Sequence, residues 1–364
     1  MLDEKIKYIV ALASNPSIGA KTLFKLEKYF GCLSQLWKPD SAKRLQLINL
    51  PEKIKNQVKL VIKNVDPEKE LEKLHELNIT PIVYNDSKYP KLLTEIPDPP
   101  AIIYIKGDAD IADTLAIAVV GARKYSYYGK KVVEDIVSQL AQQGLTIVSG
   151  LALGIDALAH RSAIVASGKT IGVLGCGIDM IYPTSNEALA KDMLSKGGTI
   201  MSEYPPGTPP YRSNFPLRNR IIAGLSMGVL VIEAAEKSGT LLTAKAALDY
   251  NRQLFAVPNN IYAPTSIGAN NLIKYGAKLV NCANDITGEL NIPVKVQESH
   301  SRKYFPQSKE EAIICQVLLK DEPTNIDKLA KITKLDIATI NAKLTFLEIK
   351  GIVRNLGASN YIMN

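Results

Sequence analysis

The sequence contains few of the residues that build metal sites, disulfide frameworks or membrane spans. Its four cysteines, Cys32, Cys176, Cys282 and Cys315, lie far apart and include no C-x-x-C pair, and it has three scattered histidines. This pattern argues against a zinc site or a disulfide framework and is typical of a reduced, cytoplasmic protein. No apolar run approaches the roughly 20 residues of a transmembrane helix, so we expect no membrane association. We also expect neither a metal nor a cofactor.

Two segments resemble nucleotide-binding motifs but are incomplete. The segment SGKT at 167–170 lacks the earlier glycine of a phosphate loop, because position 163 is alanine, and it precedes a predicted strand instead of following one. The segment GCG at 175–177 follows a predicted strand, but no third glycine completes a dinucleotide fingerprint. The first segment is not an ATPase motif, and the second is weak evidence for NAD.

The chain of 364 residues is long enough for two or three domains, and its net charge of +8 weakly favours a polyanionic partner. Residues 1–80 show apolar residues at three- and four-residue spacing, which predicts a helical N-terminal domain. Within it, NPSIGAKTLFKLEKYFG (15–31) resembles a helix-hairpin-helix of SAM-like domains, whose glycine turn can present amide groups to a phosphate. A plain pair of packed helices is the alternative.

Short apolar runs alternate with amphipathic helical segments over residues 81–287. This pattern predicts an α/β domain, a Rossmann-like doubly wound parallel sheet with helices on both faces. Residues 288–307 have no periodicity and are predicted to be a linker. Residues 308–364 show three helical segments and a hairpin, which is the order of a winged helix. This last segment has eight basic and seven acidic residues, a poor balance for anchoring duplex DNA.

Ligands of doubly wound sheets sit beyond the carboxyl ends of the strands, so the residues after each predicted strand are the candidates for a site. The loop GARKYSYYGK (121–130) combines a glycine turn, Arg123 and Lys124 with tyrosines, which suits phosphates and stacked bases. Ser238, Gly239 and Thr240 form a small turn before a predicted helix, which suits an anion. The alternatives are a solvated loop for the first segment and simple helix capping for the second.

The segment FPLRNRIIAGLS (215–226) places two arginines on either side of Asn219, at or near the start of a predicted helix. Arginine matches phosphate with a planar fork, and Phe215 offers a face for a base. The alternative is a buried network in which Arg218 or Arg220 pairs with Glu203 or Glu233. Asp156 and His160, four residues apart on one predicted helix, resemble an acid/base pair, but we interpret them as a helix-dipole carboxylate and its hydrogen-bond partner.

These loops together resemble the DprA/Smf (DNA-processing protein A) family. The resemblance rests on VVGARKYSYYG, SGLALGIDALAH, VLGCGIDMIYPTSN, SEYPPGTPPYRSNFPLRNRIIAGLS, VIEAAEKSGTLLTAKAAL and SIGANNLIKYGAKLV, in family order over about 115–280. It implies a protein without enzymatic turnover that binds and protects single-stranded DNA, dimerises and loads RecA recombinase during natural transformation. We expect a homodimer with an interface in 265–280. We expect these residues to bind DNA: Gly121, Arg123, Lys124, Ser149, Gly150, Phe215, Arg218, Asn219, Arg220, Ser238, Gly239 and Thr240.

Two other functions compete with this interpretation. The predicted core is also similar to Rossmann-type nucleotide phosphoribohydrolases, but those enzymes carry a catalytic glutamate shortly after the glycine-threonine turn, and SGTLLTA has none. A winged-helix transcriptional regulator with a sensory α/β domain is the other alternative. The nearly neutral C-terminal segment argues against it.

Overall fold

The computed structural model describes residues 2–292, 308–318, 323–350, 352–357 and 359–363. The chain divides into two compact units, Met1–Lys295 and Val296–Asn364. The predicted linker, 288–307, lies outside the described residues except for 288–292, and the last helix of the first unit continues into it as far as Glu289.

The first unit begins with five α-helices. They are α1 (Leu2–Ala13), α2 (Ala20–Phe30), α3 (Ser41–Leu47), α4 (Glu52–Asn64) and α5 (Pro67–Glu76), with a 3-10 turn at Leu33–Trp37. Asp66 caps α5 by accepting from the Glu68 amide, and Pro67 occupies the first turn, where its missing N–H costs nothing. Apolar side chains of these helices share one hydrophobic core with Tyr104 and Ile200 of the sheet. The domain boundary at residue 80 stays a prediction.

Strands and helices then alternate as far as residue 289. Their bounds are β1 (Thr80–Val83), α6 (Lys91–Thr94), β2 (Ile102–Gly107), β3 (Ala116–Val120), α7 (Tyr127–Val132), α8 (Ser138–Gln142), β4 (Thr146–Ser149), α9 (Ile155–Val165), β5 (Thr170–Leu174), α10 (Glu187–Ser195), β6 (Thr199–Ser202), α11 (Asn214–Gly224), β7 (Gly228–Val231), α12 (Thr240–Asp249), β8 (Gln253–Ala256), α13 (Ile267–Lys274), β9 (Lys278–Leu279) and α14 (Ala283–Glu289). A π-helical stretch joins α7 to α8.

The nine strands form one sheet in the order β1-β2-β6-β5-β4-β3-β7-β8-β9. Neighbours from β6 to β9 pair in parallel, whereas β1 with β2 and β2 with β6 pair antiparallel. Helices cover both faces: in β3, Ile117 packs into one core and Ala118 into another. The predicted doubly wound α/β fold is therefore confirmed, with two antiparallel strands added at one edge.

The order in which strands are added to the sheet changes direction at β3. From β3 the sheet grows through β4, β5 and β6 on one side, and β7 then returns to the other side of β3. The crevice beyond the carboxyl ends of β3 and β7 is thus the topological switch point, where open α/β sheets bind their ligands.

The second unit has the winged-helix order that the sequence predicts. Its elements are α15 (Lys309–Leu318), β10 (Thr324–Asn325), α16 (Ile326–Thr333), α17 (Ile337–Ile349), β11 (Val353–Gly357) and β12 (Asn360–Met363). The strands form an antiparallel sheet in the order β10-β12-β11. Ile340 and Leu344 of α17 pack with Leu329 of α16 in its core.

Candidate nucleic-acid interface

A cleft of about 580 Å³ opens at the topological switch point. Eight of the twelve residues predicted to bind DNA line it, and they come from the ends of β3 and β7 and from α11: Gly121, Arg123, Phe215, Arg218, Asn219, Ser238, Gly239 and Thr240. We call it the strand-end cleft. Its volume lies within the range of ordinary ligand sites.

Two exposed arginines stand at the strand-end cleft. Arg123 follows β3, as predicted, and Arg212 precedes α11. Lys124 is exposed beside Arg123 but does not line the cleft. Arg212 was not predicted as a site residue, although it lies inside the segment SEYPPGTPPYRSNFPLRNRIIAGLS, because it precedes the predicted helix that carries Arg218 and Arg220. Exposed arginines at a concave site attract anions and offer them bidentate hydrogen bonds.

Arg218 is a buried arginine, with 4% of its surface exposed. Its Nη1 donates to the carbonyl oxygens of Gly150 (2.7 Å) and Val173, which ties α11 to the ends of β4 and β5. Gly150 has to be glycine for this packing, since a Cβ there would lie 2.6 Å from Arg218 Nη2. Burial lowers the pKa of Arg218, and the charge of nearby Asp156 acts in the opposite direction. Arg218 therefore forms the wall of the cleft.

Asp156 is a buried carboxyl whose pKa is influenced by the charge of Arg218. Its Oδ2 accepts from the Gly150 amide at 3.1 Å, and burial raises its pKa while the Arg218 charge lowers it. Ser149 is fully buried, and its hydroxyl donates to Val119 O at 2.7 Å. Ser149 and Gly150 thus lie behind the surface of the cleft, where the Gly150 carbonyl accepts from Arg218.

Arg220 lies on the opposite side of α11 and does not line the strand-end cleft. Its Nη2 donates to Glu203, and its Nε lies 3.4 Å from Asp98 Oδ2. Residues two positions apart on a helix differ by about 200° around the axis, so Arg218 and Arg220 have to point apart. The structure therefore separates two arginines that the sequence analysis grouped together. The alternative of an Arg–Glu network applies to Arg220, with Glu203 as its partner.

Phe215 and Tyr182 form an aromatic pair at the cleft. Their ring centroids are 5.5 Å apart with an interplanar angle of 42°, and Tyr182 is 49% exposed. Phe215 packs closely over the end of β5, because a Cβ on Gly175 would lie 2.9 Å from its ring. Tyr182 was missed, although it lies in a loop that follows a predicted strand. The pair offers an apolar face on which a base can stack.

The Ser238–Thr240 turn closes the cleft at the start of α12. The Thr240 amide donates to Ser238 Oγ (3.2 Å), and Thr240 Oγ1 donates to Gly121 O (3.0 Å), which joins the loops that follow β7 and β3. Gly239 is exposed between them. The turn both caps its helix and lines the cleft, so the geometry leaves both predicted roles open.

Glu233, directly after β7, holds the tyrosine-rich loop in place. It is fully buried, accepts from the amide and hydroxyl of Ser126, and accepts from Asn259 Nδ2 at 3.2 Å. Gly129 contacts it so closely that a Cβ there would lie 2.7 Å from the carboxyl carbon. Glu233 therefore orients the loop that carries Arg123, a role the sequence analysis did not assign to it.

The Asp156–His160 hydrogen bond expected from the sequence is not formed. His160 Nδ1 pairs with Thr170 Oγ1 at 2.6 Å, and its Nε2 is buried without a partner among the described residues. Burial, and secondarily the Arg218 charge, lower the pKa of His160 to about 3. It is therefore a neutral core residue at physiological pH. The expected bond fails because the carboxylate of Asp156 turns to the Gly150 amide instead.

Metal-binding clusters and membrane-spanning helices are both absent from the part of the chain that the structure describes. No group of three or more histidine, cysteine or carboxylate side chains is arranged to hold a metal ion there. No helix in the same ranges is both long and apolar enough to span a bilayer.

Comparison with known proteins identifies the family. Residues 80–291 match the model of DNA recombination-mediator protein A, and residues 299–358 match the DprA winged helix domain. Protein Smf of Synechocystis is 33% identical over 388 residues, covering 97% of each chain. The X-ray structure of DNA processing protein A from Streptococcus pneumoniae aligns with a TM-score of 0.68 at 34% identity, over 78% of this chain and 97% of that one.

A second solved structure is described by its ligand. DNA processing protein A of Helicobacter pylori, reported for its single-stranded DNA binding mode, aligns with a TM-score of 0.53 at 32% identity, over 58% of this chain and 95% of that one. Both family models match in chain order, and the relatives cover most of the sequence. The chain therefore belongs to the DprA/Smf family of DNA recombination-mediator proteins.

Proposed function

We propose that this protein binds single-stranded DNA in the strand-end cleft, protects the incoming strand and loads RecA recombinase on it during natural transformation. The observation that carries the proposal is one cleft in which the exposed Arg123 and Arg212 flank the Tyr182–Phe215 pair. Cations for phosphates next to an aromatic face for bases are the two components of single-strand recognition. The Helicobacter pylori relative, described for single-stranded DNA binding, supports the same ligand here.

The expected selectivity for single strands follows from the aromatic pair. A base can reach Phe215 and Tyr182 only when it is unstacked, and the bases of a duplex are stacked and paired in its interior. Stacking on an aromatic side chain contributes roughly 1–3 kcal/mol per base and depends little on sequence. We therefore expect binding that tolerates any sequence and discriminates against duplex.

The predicted DNA-binding residues take different roles in this proposal. Direct contacts come from the exposed cations and from the ring of Phe215, with the Ser238–Thr240 turn supplying polar groups to a phosphate. Arg218 positions α11 and supports the cleft through the carbonyl groups of Gly150 and Val173. Arg220 does not line the strand-end cleft, so we assign it no DNA contact there.

We propose a homodimer that forms through α13 and the edge strand β9, within the predicted region 265–280. Ile267 and Tyr275 are 39% and 82% exposed, and Leu279 of β9 is 40% exposed. Apolar groups beside an open sheet edge favour association with a second copy.

We also propose a cytoplasmic location and no enzymatic turnover. The four unpaired cysteines support the reducing compartment.

The test is fluorescence anisotropy of the full chain with a labelled single strand, competed by unlabelled single strand or by duplex of the same sequence. We expect the single strand to compete at least tenfold better than the duplex. RecA filament assembly on strands covered by a single-strand-binding protein should then accelerate when this protein is added. Equal competition by duplex would contradict the strand-binding proposal, and unchanged assembly would contradict RecA loading.

A further inference from the structure

A second crevice, of about 690 Å³, lies on the other side of α11. Leu217 and Arg220 line it, whereas Phe215 and Arg218 line the strand-end cleft, so this helix separates the two spaces. Its remaining walls come from the start of α2, the loop after α6 and the end of β6. We call it the α2 crevice.

One wall of the α2 crevice is aromatic. Phe24 and Tyr84 meet edge to face, with ring centroids 5.1 Å apart and an interplanar angle of 70°. Tyr204 follows β6 and lines the same space. All three side chains are only partly buried, so their surfaces remain available to a flat ligand. Stacking of a base on such rings is favourable for every base and is larger for purines, because their face is larger.

A second wall carries a compact cluster of charges. Arg220 lies between Glu203 and Asp98, and Tyr250 OH donates to Asp98 at 3.2 Å. Within the described residues, the Nη1 atom of Arg220 is a buried donor that has no hydrogen-bond partner. Burial raises the pKa of Glu203, and the charge of Arg220 opposes that shift. Donors and acceptors side by side, next to an aromatic wall, match the polar edge and flat face of a nucleobase.

The third feature is a positive rim at the start of α2. Lys21 is exposed there, and Gly19 has no side chain with which to cap the helix. The Thr22 and Leu23 amides bond to Gly19 O, which leaves the amides of Ala20 and Lys21 as the ones that a ligand can reach. This is the turn that the sequence pattern identified as a candidate for presenting amide groups to a phosphate. An ammonium group beside free amides at a helix start favours an anion.

We propose that the α2 crevice is a second nucleotide site, with the base on the aromatic wall beside Arg220 and the phosphate at Lys21. This goes beyond the proposed function, which places DNA only in the strand-end cleft. The nucleotide comes either from solution or from the strand itself, since both carry the same base and phosphate groups. A purine nucleotide is the preferred occupant because it covers more of the aromatic wall.

The test is isothermal titration of the full chain with dGMP and, separately, with a short single-stranded oligonucleotide rich in dG. Lys21→Glu should weaken the ligand of this site by about tenfold, the size expected for a charge-assisted contact to phosphate. Thr94→Trp, which fills the crevice from its wall, should abolish binding there. Lys28→Glu, on the same helix and outside the crevice, is the matched control and should leave affinity within about twofold.

The cleft variant Arg123→Ala/Arg212→Ala separates this proposal from the proposed function. Binding of dGMP that falls with Lys21→Glu and persists in the cleft variant supports the site with free nucleotide as its source. If dGMP does not bind but oligonucleotide binding falls with Lys21→Glu and not with Lys28→Glu, the site is supported with the strand as its source. If the affinities for both ligands are unchanged by Lys21→Glu and by Thr94→Trp, the second site is overturned. That result does not contradict DNA binding in the strand-end cleft. A wild-type chain that binds neither ligand contradicts both proposals.

Discussion

The electrostatic coupling between the buried Arg218 and Asp156 gives a prediction that can be worked through in numbers. Arg218→Met keeps much of the side-chain volume but removes the guanidinium that holds Gly150 O and Val173 O. Each lost hydrogen bond costs about 1 kcal/mol, and a buried carboxylate left without its cation costs about 3–5 kcal/mol. Because these contributions overlap, we expect the free energy of unfolding to fall by about 4 kcal/mol.

A double-mutant cycle isolates the electrostatic part of that loss. Asp156→Asn alone leaves a buried cation without its anion and should also destabilise the protein. The double variant should then lose at least about 1 kcal/mol less than the sum of the single losses, because each single change leaves the other charge uncompensated. The assay is urea unfolding followed by circular dichroism, with equal denaturant slopes checking that the unfolded states match. Losses that add within about 0.5 kcal/mol would refute the electrostatic coupling.

The same perturbation has a pH signature. Asp156 already has a raised pKa through burial, and removing Arg218 takes away the charge that lowers it. A carboxyl whose folded pKa lies above its unfolded value stabilises the fold when protonated, and that stability is lost as pH rises through the folded pKa. The cost of Arg218→Met should therefore be smaller at pH 5 than at pH 7.5. A cost independent of pH would show that Asp156 does not depend on Arg218.

Three further predictions concern other parts of the first unit. Because burial holds the pKa of His160 at about 3, only the unfolded state takes up a proton on this side chain as pH falls through its ordinary pKa of 6.5. Wild type should therefore lose about 2 kcal/mol more stability than His160→Gln between pH 7.5 and 5.0 in urea titrations, and equal losses would contradict this. Phe215→Ala should weaken single-strand binding by about 1–3 kcal/mol in anisotropy titrations, whereas Tyr211→Ala, exposed outside the cleft, should not; similar effects would exclude a stacking role for Phe215. Tyr275→Asp should halve the molar mass in sedimentation equilibrium, and an unchanged mass would move the dimer interface elsewhere.

The parallel part of the sheet could be predicted because its strands are buried on both faces. The run Ala116–Val120 is apolar throughout and is followed by a glycine, and such runs stand out in the sequence. β2 was not predicted as a strand, and its antiparallel pairing with β6 is a tertiary contact that local patterns do not encode. The helix α3 has only a weak apolar pattern, since only Ser41 and Leu45 of it are buried.

The candidate site was predicted at the level of loops and not of side-chain directions. Residues after strands had to meet at one edge of the sheet, which correctly brought Arg123, Phe215 and Thr240 together. The sequence analysis placed Arg218 and Arg220 in one site. Because residues two positions apart on a helix point in nearly opposite directions, the two side chains lie on different sides of α11. The predicted helix start was also imprecise: α11 begins at Asn214, so both arginines lie inside it. Which arginine is buried depends on Asp156 and Glu203, and the sequence does not place either of them.

The most direct test of the strand-end cleft is the salt dependence of single-strand affinity in the variant Arg123→Ala/Arg212→Ala. Each phosphate contact contributes about 0.7 to the slope of log K against log salt concentration for single strands. If both arginines contact phosphates, the slope should become shallower by about 1.4, and affinity at low salt should fall at least tenfold. Arg161→Ala, which removes one positive charge from an exposed position outside the cleft, should leave the slope unchanged. A folded double variant with the wild-type slope would contradict the assignment of the cleft to DNA.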